Sequence, residues 1–222
     1  MSAPANGYGM TKRACEDRVA AYRDAGGDAV VLRPSCVHGP GSEQWTGRMA
    51  RLLRAGRIGD LGAAGDGTCN LIYIDDLIAA IIRSCSDPHA GGEIFNVSDT
   101  EQFTWNEFLV RFARALGATP VHRVTGRRLK IEAKLAAPAF RLLQIATRSI
   151  GAGARLAPDP ITPSLFQLWR QEIELDATKL VTRLGFRFTP AEHAIASAAR
   201  WANGMLGDGK DAVGQPLGLQ SS

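Results

Sequence analysis

Tyr8-Gly9-Met10-Thr11-Lys12 opens a run of helix-forming residues that reaches Ala25; Gly26-Gly27 then leads into Asp28-Ala29-Val30-Val31-Leu32-Arg33-Pro34. On a helix, residues four apart share one face, so the Tyr8 phenol and the Lys12 ammonium are placed one turn apart. A free tyrosine has a pKa of about 10 and is a poor base at neutral pH. A neighbouring positive charge stabilises the phenolate and equips the pair to exchange a proton with a substrate hydroxyl or carbonyl. Glycine just past a helix ends it. The unbroken apolar run Ala29–Leu32, with its two valines, reads as a parallel strand buried on both faces and stopped by Pro34. Ligands in open α/β sheets bind outside the carboxyl ends of strands. The loop Ser35-Cys36-Val37-His38-Gly39-Pro40-Gly41 is therefore where a ligand is expected.

The rest of the chain repeats this alternation. The sequence predicts a helix over 43–55, a strand over 69–74, a helix over 77–84 and a strand over 93–98. Asp75-Asp76 precede an apolar helical run and read as an N-cap and as partners of the helix dipole rather than as an acid/base pair. Thr104 with Glu107 forms a capping-box pattern ahead of a helix that ends at Gly117. Val121–Val124 and Glu172–Leu175 read as short strands. A helical period runs from Leu129 to about Ile150, with a break at Pro138, and Ser164–Gln171 reads as a short helix. Asp176 caps a helix over 177–184, ended by Gly185, and Pro190 starts a last helix to Asn203. The glycine-rich stretch Gly62–Gly67 lacks the GxGxxG spacing and reads as a turn, not a phosphate loop.

Composition sets the class. The 222 residues are 45% hydrophobic with a net charge of +4, which fits one globular domain or a large part of a bigger protein. The basic run His122–Lys130 has no interleaved aromatics and carries no nucleic-acid motif, so nucleic acid is not an expected partner. No CxxC spacing links Cys15, Cys36, Cys69 and Cys85, which predicts free thiols in a reducing, cytoplasmic setting. The first residues are small and polar and read as no signal peptide. Leu71–Ile82 is broken by Asp75 and Asp76, so no membrane span is expected. No metal-ligand cluster is evident.

Taken in order, the motifs resemble the extended short-chain dehydrogenase/reductase family, also called the NAD-dependent epimerase/dehydratase family. The resemblance is carried by Tyr8-x-x-x-Lys12, by Leu32-Arg33-Pro34 followed by Val37-His38-Gly39-Pro40-Gly41, and by Tyr73-Ile74-Asp75-Asp76. It continues with Phe95-Asn96-Val97, Asp176-x-x-Lys179, Leu184-Gly185-Phe186, and Pro190 before a helix holding Trp201. The fold it implies is α/β: the C-terminal part of a Rossmann-type doubly wound parallel sheet plus a small, mostly helical substrate-binding region. Residues 1–41 would be a remnant of the dinucleotide-binding domain, 42–204 a substrate-binding region with interleaved sheet elements, and 205–222 a disordered tail.

The resemblance also implies a chemistry. Tyr8 would be the general acid/base, and Lys12 would support it and hydrogen-bond the nicotinamide ribose of NAD or NADP. Pro34, Ser35, Cys36 and Val37 would lie against the nicotinamide. The reaction would be hydride transfer to or from a small hydroxyl or carbonyl substrate. Cys69 stands where sugar-nucleotide epimerases of the family usually carry an arginine. That turns the expectation towards branches acting on alcohols and ketones, such as the 3β-hydroxysteroid dehydrogenase-like or dihydroflavonol reductase-like groups.

The family's glycine-rich pyrophosphate turn and its catalytic serine or threonine have no counterpart in the sequence. The chain is therefore expected to be the second half of such an enzyme, inactive alone. Its partner would be a complementing N-terminal half or a second copy in a homodimer. A competing expectation is a non-catalytic chain that binds a protein through an open sheet edge; a third is a pseudo-enzyme that binds substrate without cofactor. An apolar strand left with one open edge predicts marginal stability and a tendency to aggregate.

Overall fold

A computed structural model describes residues 7–136, 140 and 158–207. Its contacts divide the chain into two compact units. One holds the residues up to Val37 together with Asn70–Thr100 and Leu175–Thr189; the other holds His38–Cys69, Glu101–Glu174 and the residues from Pro190 onward. Residues 70–100 and 175–189 thus group with the beginning of the chain.

The first unit contains helix α1 (Gly7–Asp24), strands β1 (Val31–Pro34) and β3 (Leu71–Tyr73), helix α3 (Ile74–Ser86), strand β4 (Ile94–Val97), and a helix over Thr178–Leu184, labelled α7 below. Strand β2 (Cys36–His38) follows β1 and pairs with β3. β1 and β4 run parallel in the register Val31↔Ile94, Leu32↔Phe95, Arg33↔Asn96, Pro34↔Val97. Parallel neighbours joined through intervening helices are the hallmark of an α/β sheet.

The strand is shifted from the expected one. It begins at Val31 and includes Pro34, and it is half-buried rather than covered on both faces. The bonds Val31 N–H to Glu93 O and Ser35 N–H to Val97 O, both 3.0 Å, explain this. Alternation turns 31, 33 and 35 towards β4, so Leu32 and Pro34 face the other edge. A proline there forfeits no ladder bond. No described strand pairs with that edge. Helix α1 buries none of its residues, and Tyr8, Met10 and Tyr22 are exposed. It is tied to β1 by a two-pronged ion pair: Arg33 Nε donates to Glu16 Oε1 at 2.8 Å and Nη2 to Oε2 at 2.5 Å. This bond to Arg33 holds the Glu16 carboxyl below its usual range.

The core of this unit gathers Ile72, Ala80, Phe95, Val97, Leu180, Leu184 and Phe186, with Val30, Leu32, Val37, Leu77 and Phe188 packed against it. Asp75 and Asp76 lie in the first turn of α3, as partners of the helix dipole, but neither is its N-cap: Tyr73 stands there without a side-chain bond. Asp75 is exposed in the first turn. Asp76 is buried, and its carboxylate accepts the Thr189 N–H at 3.0 Å and the Thr189 hydroxyl at 2.8 Å. Asp176 accepts the Thr178 N–H at 2.8 Å but stands one residue ahead of the N-cap, which is Ala177 rather than the expected Asp176. Gly185 ends α7 at φ 59°, a conformation glycine adopts without strain.

The second unit is helical. It holds a π-helical turn Glu43–Gly47, then α2 (Arg48–Arg54), α4 (Trp105–Leu116), α5 (Gly126–Ile131), α6 (Pro163–Leu168) and α8 (Ala191–Gly207). The capping box forms in full: Thr104 Oγ1 accepts the Glu107 N–H at 3.2 Å, and Glu107 accepts the Thr104 N–H at 2.8 Å. The apolar face of α4, from Trp105 through Phe108 and Phe112 to Leu116, is buried.

Two expected strands are absent. Residues 121–124 form only a bridge between Arg123 and Asp60, and 172–175 is irregular, with the Leu175 N–H given to the Asn70 side-chain oxygen. α5 starts three residues before the expected Leu129 because Thr125 caps it. Most of the predicted continuation to Ile150 lies outside the described residues. α8 passes the expected end at Asn203, so residues 205–207 of the predicted tail are helical; the remainder of that tail lies outside the described residues. Among the described residues, no helix is long and apolar enough to cross a membrane, and no group of His, Cys, Asp and Glu could hold a metal.

Phe95 is fully buried between the parallel pair and α7, beneath the Lys179 ammonium at 5.3 Å from its ring centre. Replacing it with alanine is expected to cost about 3–5 kcal/mol of unfolding free energy in urea titrations. A loss under about 1 kcal/mol would mean that this core is not the one described.

Candidate active site

Tyr8 sits in the first turn of α1 and Lys12 one turn further on, the shared face that the spacing predicts. The Lys12 ammonium lies over the tyrosine ring, 5.6 Å from its centre. That distance is within the range of a cation–π contact. Tyr8 is 74% exposed, so its hydroxyl is open to solvent.

Pro34, Ser35, Cys36 and Val37 occupy the carboxyl end of β1 and the start of β2. Each is fixed differently. Pro34 has no N–H to donate. Ser35 gives its N–H to Val97, while its buried Oγ has no hydrogen-bond partner among the described residues. Cys36 gives its N–H to the Asn70 oxygen at 3.3 Å, and burial pushes its thiol up to about 11. Val37 packs into the core. Backbone donors in this segment are therefore spent on the fold, and the group left over is the Ser35 hydroxyl.

That leftover hydroxyl bears on the NAD or NADP that the sequence implies. A buried hydroxyl without a partner at the carboxyl end of a parallel strand is costly unless something accepts from it or donates to it. A carboxamide does both, so Ser35 fits the nicotinamide end of such a cofactor. Lys12, with donors turned to solvent, fits a ribose hydroxyl.

In the second unit, His38 is buried and meets Phe108 edge to face at 5.9 Å. Phe108 stacks on Phe112 at 5.6 Å, and Trp45 lies 5.7 Å from Trp105. Gly67 passes under this row: its N–H donates to the Trp169 oxygen and its oxygen accepts the Trp105 N–H, both at 3.1 Å. A Cβ at Gly67 would lie 2.5 Å from the Trp169 oxygen, so the glycines of 62–67 serve close packing here. Cys69 is buried, and all four cysteines are free thiols. Neither His38 nor Asn70 was singled out by sequence reasoning. His38 falls inside the expected ligand loop, but nothing in the sequence announces its burial.

Comparison with known proteins agrees with the motifs. Residues 1–98 match the model of the NAD dependent epimerase/dehydratase family. Over 115 residues the chain is 30% identical to a UDP-glucose 4-epimerase of Vibrio cholerae, covering 51% of this chain and 35% of that protein. Over 120 residues it is 32% identical to a 2-alkyl-3-oxoalkanoate reductase of Stenotrophomonas maltophilia, covering 52% and 36%. The chain thus spans about a third of the length of these curated relatives. Among solved structures it resembles the UDP-glucuronic acid 4-epimerase of Bacillus cereus in complex with UDP-glucuronic acid and NAD. The TM-score is 0.61 at 17% identity, over 92% of this chain and 55% of that one. That likeness shows a Rossmann-type fold.

Burial pulls the His38 imidazole down to about 4. The unfolded chain binds this proton at about 6.5, so the stability gained by keeping the ring neutral is present above pH 6.5 and lost as pH falls towards 4. Between pH 7 and 4 the protein should lose roughly 3 kcal/mol more than a His38→Phe variant, read from urea midpoints. Parallel pH profiles would refute the burial of this ring.

The order of the motifs, the match of residues 1–98 to the NAD dependent epimerase/dehydratase family and the Rossmann-type fold all agree with one another.

Proposed function

We propose that the chain is the catalytic-helix and substrate-binding part of an NAD(P)-dependent oxidoreductase or epimerase/dehydratase acting on a small hydroxyl or carbonyl compound. The observation that carries this reading is the Tyr8–Lys12 pair held on one face of α1, within the segment matched by the family. The Tyr8 Oη takes the proton from a substrate hydroxyl, or returns it to a carbonyl oxygen. The Lys12 ammonium stabilises negative charge developing on that oxygen and holds a ribose hydroxyl. Pro34 to Val37 form the surface for the nicotinamide, with the Ser35 hydroxyl towards its carboxamide. When bound, the cofactor takes or supplies the hydride at the substrate carbon.

Acid/base work of this kind is efficient where water is excluded. Tyr8 is 74% exposed, so the proposal includes an element from outside these residues that covers it. A complementing half bearing a glycine-rich strand, turn and helix would do so and would bind the pyrophosphate; a second copy in a homodimer is the alternative cover. The setting is a cytoplasmic one, in keeping with the free thiols.

A second reading has its own support. β1 has a described partner on one edge only, and α1 buries nothing. Both suit a non-catalytic chain that binds a protein along that edge.

The test is turnover. Protein purified from its native host should reduce NAD or NADP with a secondary alcohol from a small panel, and Tyr8→Phe should lower kcat by about 10²–10⁴-fold. A Tyr8→Phe variant as active as the wild type would end the catalytic reading. Absence of turnover from native material would favour the second one.

A further inference from the structure

Three backbone segments around the carboxyl ends of the parallel strands are gripped by two adjacent residues. The Asn70 main-chain oxygen accepts the Cys36 N–H at 3.3 Å, just past β1. The Asn70 side-chain oxygen accepts the Leu175 N–H at 3.0 Å, ahead of α7. The Leu71 oxygen accepts the Asp99 N–H at 2.8 Å and the Ser98 hydroxyl at 3.4 Å, just past β4. β3 is thus a brace across the end of the β1–β4 pair, and Asn70 is the member that contributes a side chain to it.

We propose that Asn70 is a positioning residue of the candidate site: by anchoring Leu175 through its side chain and Cys36 through its main chain, it sets the segment Pro34–Val37. The importance of that segment rests on the function proposed above; the brace itself does not. Asn70 stands one residue ahead of β3 and is half-buried. Its side-chain bond spans 105 residues of sequence and fixes which way its peptide group faces. Without the amide oxygen, the Leu175 N–H has lost its acceptor, and the Asn70 carbonyl is free to turn from Cys36. Aspartate keeps an oxygen at the same place, whereas alanine does not.

Cys36 reports on its own loop, because its thiol is half-buried while Cys15 and Cys85 are exposed and Cys69 is buried. The experiment is iodoacetamide labelling of the full chain at pH 8, with each cysteine followed by peptide mass spectrometry, and amide exchange read at Leu175. In Asn70→Ala, the rate of Cys36 relative to Cys15 should rise about fivefold, the effect of losing one ordinary hydrogen bond, and Leu175 exchange should quicken. Asn70→Asp should restore the wild-type ratio. An unchanged ratio with faster Leu175 exchange would overturn the proposal, because the anchor would then hold Leu175 without setting the loop. Equal acceleration of Cys36 and Cys69 would also overturn it, as general loosening of the core. An Asn70→Asp variant behaving like the alanine one would refute the acceptor role. No cofactor enters the measurement, so it can fail while the Tyr8→Phe turnover test succeeds, and the reverse.

Discussion

The parallel pairing of β1 with β4 is the constraint on which the first unit depends. Parallel strands gain slightly less per residue than antiparallel ones and are found buried between helices and further strands. Here four residues of β1 lie against four of β4, and the pair is held by what packs on it: Phe95, Val97 and Ile72 beneath, α7 beside them, and the Glu93 carboxylate taken by Lys179 and Arg183. Those exposed ion pairs add little by themselves. Apolar burial carries the weight, at about 25 cal/mol per Å² removed from water. No described strand pairs with the edge of β1 turned away from β4, and such an edge is the usual seat of strand addition.

The same pairing positions the segment proposed above for the ligand. Pro34 to Val37 leave the carboxyl end of β1, Ser98 and Asp99 leave that of β4, and β3 clasps both through the Asn70 and Leu71 carbonyls. A ligand at this end meets a segment whose backbone bonds are already made, so its placement costs little further ordering. α1 is joined to the strand pair through Glu16 and Arg33, one turn beyond Lys12 on the helix. Arg33 therefore has a structural task within the motif Leu32-Arg33-Pro34, and Pro34 removes one donor from the edge turned away from β4.

What the sequence made legible was local. The Tyr8–Lys12 spacing, the Thr104–Glu107 capping box and the glycine stops at Gly117 and Gly185 each depend on residues a few positions apart, and each is found. The misreadings are tertiary. Asp76 looked like a cap because it opens an apolar helix, yet its partner Thr189 lies 113 residues away. Residues 172–175 have strand composition, but the Asn70 side chain takes the Leu175 N–H and no ladder forms. The burial of His38 and the brace at Asn70 follow from how distant segments meet, and no short pattern encodes them.

The central claim is that this chain contributes the tyrosine–lysine helix to a larger NAD(P)-dependent assembly that covers the open edge of β1. Native mass spectrometry of the protein purified from its own host, with sequencing of every polypeptide in the particle, tests it most directly. The account predicts a mass above 23.8 kDa, with the added sequence containing a glycine-rich strand, turn and helix. A lone 23.8 kDa monomer that unfolds in one sharp cooperative step would contradict it.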